Sequence, residues 1–215
     1  MTNKELIDLM MARLGGRTAP ALRSRLVIEL NEKIRQLETG SILPWFMEDK
    51  FVGDTVANQD YVDLPADFVR EVEEGRFKIK NTENKWGRLI KASYEDLEDE
   101  TENYDAALPE GYALFGDKIY FGPVPDLAYS FKLPYFKRTG EVIDNTSAVT
   151  NSWLLEFHHY VTLATLKVVA SMHIQSAEIM QKIDPELQTA YDIFWRTIEA
   201  RKHTNMEYLL TNSEN

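Results

Sequence analysis

Apolar residues recur along this chain at helical spacing near both ends and in strand-like alternation through the middle. Thr2 with Glu5 three residues later makes a capping box. Leu6, Ile7, Leu9, Met10 and Leu14 follow as an apolar stripe, which predicts a first helix closed by Gly15-Gly16. Pro20 suits the first turn of a second helix, lined by Leu22, Leu26, Ile28, Leu30, Ile34 and Leu37 as far as Thr39-Gly40. Leu43-Pro44-Trp45-Phe46 then reads as a rigid aromatic corner.

The middle of the chain predicts short strands. Lys50 to Ala57 and Asp60 to Leu64 form two, joined by the polar turn Asn58-Gln59, and Pro65-Ala66-Asp67-Phe68 starts a helical turn. Phe77 to Lys80 and Lys85 to Ile90 give a third and a fourth across the loop Asn81 to Asn84. Ser93 with Asp96 caps a short helix over Tyr94 to Leu97. The strongest local signal lies in Tyr112 to Phe121. Gly116-Asp117 separates two alternating segments, and glycine supplies the positive φ that a type II′ turn needs at its first central position. Pro123 and Pro125 stop the ladder, and Tyr129 to Leu133 alternates as a further strand of one small antiparallel sheet.

Helical spacing returns after Asp144-Asn145-Thr146. Asn151 or Ser152 caps a long helix whose apolar residues, from Trp153 and Leu154 to Val169 and Met172, cover more than one face, as in a core helix. Asp184-Pro185-Glu186 reads as a restart, with a cap, a first-turn proline and an acid at the positive helix end. Leu187, Ala190, Tyr191, Phe194, Trp195 and Ile198 line the last helix. These elements predict an α+β fold: N-terminal helices and long C-terminal helices around a small, mostly antiparallel β-sheet or partial barrel.

Charge narrows the partners. The chain of 215 residues carries 35 acidic and 24 basic side chains, for a net charge of -11, which argues against a protein that coats nucleic acid. From Glu95 to Glu110 it has acids and no lysine or arginine, and the spacing fails the EF-hand frame, so a solvated acidic loop is expected over 95–110. The front end is basic by contrast. Arg13, Arg17, Arg23, Arg25, Lys33 and Arg35 form either a solvated helical face or a site for a phosphate or an acidic partner. No cysteine is present, which excludes disulfides and thiolate chemistry. The N-terminus lacks the pattern of a signal peptide, and no apolar run is long enough to span a membrane.

Candidates for chemistry are few. Glu156 and His159 stand at i and i+3, the spacing of ferritin-like carboxylate sites, yet Glu199 and His203 at i,i+4 do not supply the second pair. There is no Gly-x-Ser-x-Gly elbow, and Gly15-Gly16 lacks the Gly-Lys-Ser/Thr of a phosphate loop. No cofactor is expected.

Tyr61-Val62-Asp63-Leu64-Pro65-Ala66-Asp67-Phe68, then Ser93-Tyr94-Glu95-Asp96-Leu97, the hairpin Tyr112 to Phe121 with Pro123 and Pro125, Tyr135-Phe136-Lys137 and the helix opened by Ser152-Trp153-Leu154 come in a distinctive order. In that order, over about residues 60–200, the chain resembles the head-to-tail adaptor proteins of tailed bacteriophages. The first 45 residues and the insert Glu98 to Asp105 match nothing distinctive. The chain is expected to form a single adaptor domain over 1–215: a helical front end at 1–40, a β-rich region with a short helix and an acidic loop at 48–138, and C-terminal helices and tail at 151–210. The resemblance implies a non-enzymatic virion protein at the phage neck, assembled in the host cytoplasm. Its partners would be the portal protein and tail, nozzle or tail-fibre proteins. It would form a homo-oligomeric, dodecameric ring through which duplex DNA passes without sequence-specific binding. Partner binding is expected at Arg17, Arg23 and Arg25, and at Met206, Tyr208, Leu209 and Leu210, which read either as an interaction tail or as a frayed helix end. A tail-tube or tail-completion ring protein, and a carboxylate-bridged metalloenzyme using Glu156 and His159, are the alternatives.

Overall fold

The computed structural model describes residues 1–16, 19–73, 76–103, 105–144 and 148–211, with backbone alone over 100–103 and 202–211. In chain order the elements are helices α1 (Asn3–Arg13) and α2 (Pro20–Glu38), a 3-10 turn (Trp45–Met47), strands β1 (Glu48–Asp54), β2 (Tyr61–Asp63), β3 (Phe68–Glu71), β4 (Lys78–Lys80), β5 (Trp86–Arg88) and β6 (Ile90–Lys91), helix α3 (Tyr94–Asn103), strands β7 (Gly111–Phe115), β8 (Lys118–Gly122) and β9 (Ser130–Lys137), helix α4 (Ser152–Val169), a π turn (Ala170–Ile174) and helix α5 (Ala177–Thr211). The fold class is α+β. Two compact units divide the chain: Met1–Phe46 with Thr139–Asn215, and Met47–Arg138.

The first unit is helical. The capping box at Thr2 forms as expected: the Glu5 N–H donates to Thr2 Oγ1 at 3.1 Å, and the Thr2 N–H donates to Glu5 Oε2 at 2.7 Å. Gly15 and Gly16 take positive φ and end the turn after α1. α4 packs against both α2 and α5. Its start is fixed by a buried polar cluster. The Asn151 side chain accepts from the Trp153 N–H at 3.0 Å and donates to Thr139 Oγ1 and the Gly140 carbonyl. Buried Glu38 accepts from both the backbone N–H and the hydroxyl of Thr139, which satisfies a charge at the end of α2. Trp45, Phe46, Trp153, Phe157 and Phe194 pack as an aromatic cluster, with Phe46 edge-on to Trp153 at 5.2 Å.

Two expectations fail in this unit. The stripes hold at Leu6, Ile7, Met10 and Leu14 on α1 and at Leu26, Leu30 and Ile34 on α2, but Leu9 and Ile28 are exposed and Met11 joins the buried face of α1. Asp184-Pro185 does not open a helix, because α5 runs through it with Pro185 inside. The break lies earlier, at Gln175, whose left-handed φ of 54° ends the π turn. Sequence spacing cannot see that break, because neither glycine nor proline marks it.

The second unit is a pair of open sheets. One runs β1-β9-β4-β5, with β3 also paired to β9, and the other runs β2-β8-β7-β6. All pairs are antiparallel except β6 with β7. The expected hairpin is β7-β8, and Gly116 has a φ of 62°. Inner-face residues of both sheets form one core. The Phe77 ring meets Tyr112 at 4.7 Å on one sheet and Phe131 at 5.6 Å on the other, and Phe121 lies 5.9 Å from Phe131.

The partition into two sheets corrects the single sheet read from the sequence. β1 and β2 follow one another but lie in different sheets, as do β5 and β6, with buried Leu89 between the latter two. β9 leaves the hairpin after Pro123 and Pro125 and becomes the centre of the other sheet. Pro134 sits inside β9. Its carbonyl accepts from the Val72 N–H, so its nitrogen faces the gap between the segments paired to β4 and β3, where no ladder donor is required. The turn expected at Pro65-Phe68 forms, the Phe68 N–H donating to the Pro65 carbonyl at 2.9 Å, and leads into strand β3, where Phe68 stacks on Tyr135 at 5.6 Å and the Tyr135 hydroxyl donates to Asp67 at 2.9 Å. Burial, and then Asp67, push that hydroxyl up to about 12. α3 runs to Asn103, so a helix occupies the first part of the expected acidic loop.

Candidate functional site

The basic front end is largely committed to the first unit itself. Arg23 forms hydrogen-bonded ion pairs with Asp8 on α1 and with Asp144, the latter bidentate with a 2.8 Å bond from Nη2 to Oδ1. The guanidinium holds the Asp144 carboxyl below the usual carboxylate range, chiefly through that hydrogen bond. Arg13 pairs with Glu186 at 2.8 Å and Arg35 pairs with Glu141. Arg25 is exposed, with no ion pair among the described residues, and Arg17 lies outside the described residues. The side chains of Met206, Tyr208, Leu209 and Leu210 also lie outside them.

Glu156 and His159 are both exposed on α4. Among the described residues no group of three His, Cys, Asp or Glu side chains is placed to hold a metal ion. Among those residues, too, no helix is long and apolar enough to cross a membrane. A shallow groove of about 430 Å³ opens between α2, α4 and α5, lined by Lys33, Tyr160, Lys167, Met172, Leu187 and Tyr191. Half-burial there lowers the pKa of Lys33.

A row of cations without ion pairs among the described residues lies on the outer face of the β1-β9-β4-β5 sheet. Side chains alternate across a sheet, so register assigns them to faces. Ile79, Phe131, Leu133 and Gly53 point inward, and a Cβ at Gly53 would sit 2.8 Å from the Phe131 ring. The residues between them point outward. Lys132, Lys78 and Arg88 stand directly opposite one another across β9, β4 and β5. Lys80 and Trp86 continue the row, and Lys50 lies on β1 one pair along from Val52 and Lys132. Lys132 sits 3.9 Å above the Trp86 ring and Lys80 5.9 Å from it. Trp86 remains 41% exposed and Val52 61% exposed. None of the five cations has a carboxylate partner among the described residues. Two acids share this face on β1: Asp54, which accepts from the Ser130 hydroxyl at 2.6 Å, and exposed Glu48, two positions from Lys50 and in no ion pair with the five cations among the described residues. Like charges directly opposite in a sheet cost stability, so this row is an expense in the isolated unit.

The opposite side of the same unit is acidic. α3 lies on the outer face of the other sheet, where Tyr94 stacks on Phe115 at 4.6 Å and meets Tyr120 edge-on at 4.8 Å. Its sequence, YEDLEDETEN, holds six acids and no cation. Ser93 caps it, accepting from the Asp96 N–H at 3.1 Å. Phe115 at the hairpin tip is 57% exposed beside it. The two-sheet core separates this helix from the cationic face.

Sequence reasoning missed the cationic face. Lys-Ile-Lys in β4 does alternate, which marks its lysines as outward. Nothing local announces that Lys132, fifty-four positions after Lys78, stands beside it.

A family model described as SU10 adaptor protein matches residues 1–203. No curated protein matches the chain.

Proposed function

The chain belongs to the SU10 adaptor protein family, a family of phage head-to-tail adaptors, and on that premise we propose that it forms a ring beneath the portal of a tailed bacteriophage. It is a structural virion protein of the head–tail connector, and its family role is to join portal and tail proteins. The finer reading is a homo-oligomeric, dodecameric ring that extends the DNA channel and offers its lower surface to tail, nozzle or tail-fibre proteins. In this reading both units act together as one adaptor domain, assembled in the host cytoplasm before the tail joins.

The family match over residues 1–203 carries this reading. Physical support comes from charge. A wall past which duplex DNA slides should not grip phosphates, and a chain with a net charge of -11 repels them. Closed rings are built from heterologous contacts, in which one face of a subunit meets a different face of the next. A unit with cations on one side and acids on the other suits such contacts.

The test uses DNA-filled heads that bear portals but lack the adaptor and the tail. Purified protein added to them should attach in multiple copies before any tail component is supplied, and should then allow tails to join. Tails that join such heads equally well without the protein would overturn the proposal. Attachment to isolated tails and not to heads would assign the chain to the tail tube or tail completion instead.

A further inference from the structure

We propose that successive subunits of the ring are joined by the cationic sheet face of one copy docking onto the acidic helix α3 of the next. This rests on the ring reading above and names the contact that builds it.

The occupant of the face follows from charge and position. The face presents Lys50, Lys78, Lys80, Arg88 and Lys132 around an exposed Trp86, with no carboxylate partner for these cations among the described residues. Each copy also carries the complement. α3 holds six acids and no cation, and lies on the far side of the same two-sheet core. Two packed sheets are about 10 Å thick and a helix adds roughly another 10 Å. That exceeds the Debye length of about 8 Å at physiological ionic strength, so a copy cannot neutralise its own face with its own helix. A second copy can. Because donor and acceptor surfaces lie on opposite sides, the contact is head-to-tail and propagates, as a ring requires.

The apolar content agrees with an interface. Trp86 sits among the cations, and Phe115, 57% exposed, lies against Tyr94 on the acidic side. Buried aromatic anchors surrounded by charged rims are the common anatomy of protein contacts. Duplex DNA is the competing occupant of a basic face. It is disfavoured because phosphates would approach a strongly acidic chain, whereas a second copy brings the acids in fixed one-to-one ratio. The arginines of the front end do not compete for this role, since Arg13, Arg23 and Arg35 already hold internal carboxylates.

Charge reversal with rescue tests the contact on the full chain. One variant carries Lys78→Glu and Lys132→Glu, a second Glu95→Lys and Asp99→Lys, and a third all four changes. Copies retained per portal-bearing head are counted by particle mass, and self-association is followed by sedimentation. Circular dichroism and the heat-denaturation midpoint identify any variant that fails to fold. Each reversal alone should weaken assembly by about tenfold or more, and the four together should restore it, because each interface then again pairs opposite charges. Single reversals that assemble like the unaltered chain, or a fourfold variant no better than the folded singles, would overturn this contact while the ring stands. A Lys78/Lys132 reversal that loses only affinity for a short DNA duplex, with assembly unchanged, would give the face to DNA. An unaltered chain that binds heads as a single copy would remove the ring reading and this contact with it.

Discussion

Arg23 shows how a residue chosen for its charge can have its charge already spoken for. As a sequence feature it is one of several arginines near the N-terminus. In the fold it ties α1 and α2 to the segment around Asp144. The Asp144 carboxyl is held below its ordinary value, first by the hydrogen bond from Arg23. A carboxyl whose folded pKa is depressed contributes stability above its unfolded pKa of about 4, and that contribution is lost as pH falls through the folded value. Asp144→Asn should therefore narrow the gap between urea midpoints measured at neutral pH and near pH 3. An unchanged acid dependence would show that the pair contributes nothing. Asp49, lowered by its hydrogen bond from Lys137, adds to the same acid limb and would account for part of what remains. Glu71 is a buried counterpart: its side chain is 6% exposed, accepts from the Tyr112 hydroxyl at 2.5 Å and pairs with Lys91 at 3.1 Å. Its burial joins β3 of one sheet to the strands of the other, which the alternation within Phe68 to Glu71 does not reveal.

Individual elements separate cleanly into those set by local signals and those set by partners. The β7-β8 hairpin follows from Gly116 and its flanking alternation, and the starts of α1, α3 and α4 follow from Thr2, Ser93 and Asn151. α5 does not follow its local signal. Asp184-Pro185-Glu186 has the chemistry of a helix start, yet the helix begins at Ala177, and Lys167 of α4 pairs with Asp184 at 2.8 Å. Packing of the Ile183, Ala190, Phe194 and Ile198 face outweighs the hydrogen bond that Pro185 cannot donate. Pro185→Ala should accordingly stabilise the protein, by about 1–3 kcal/mol less whatever chain entropy the proline removes from the unfolded state. A helix truly starting at Pro185 would instead be weakened or unchanged by the substitution, as read from the urea midpoint.

At the scale of the whole molecule, charge is segregated and not merely negative. The net charge of -11 conceals a sheet face whose five cations have no ion-pair partner among the described residues, set across a core from a helix of acids. Assembly that depends on such faces must weaken with salt. Raising ionic strength from roughly 0.1 M to 1 M shortens the screening length from about 10 Å to about 3 Å. Fewer copies should then remain on portal-bearing heads at high salt, with the fold intact by circular dichroism. Retention that rises with salt would indicate contacts dominated by apolar burial.

The amino-acid sequence by itself determined the ends of helices, the β7-β8 turn, the α+β class and, through the order of degenerate motifs, the adaptor family. Each of these depends on residues within a few positions of one another, or on their order. Tertiary structure alone decided that the strands divide between two sheets, that Pro185 lies inside a helix, and that Lys78, Arg88 and Lys132 form one row. Those outcomes rest on register between segments far apart in the chain, where a shift of one residue exchanges the inner face for the outer. Spacing within a segment carries no information about that choice; the buried Phe77, Phe121 and Phe131 rings, which must meet between the sheets, make it.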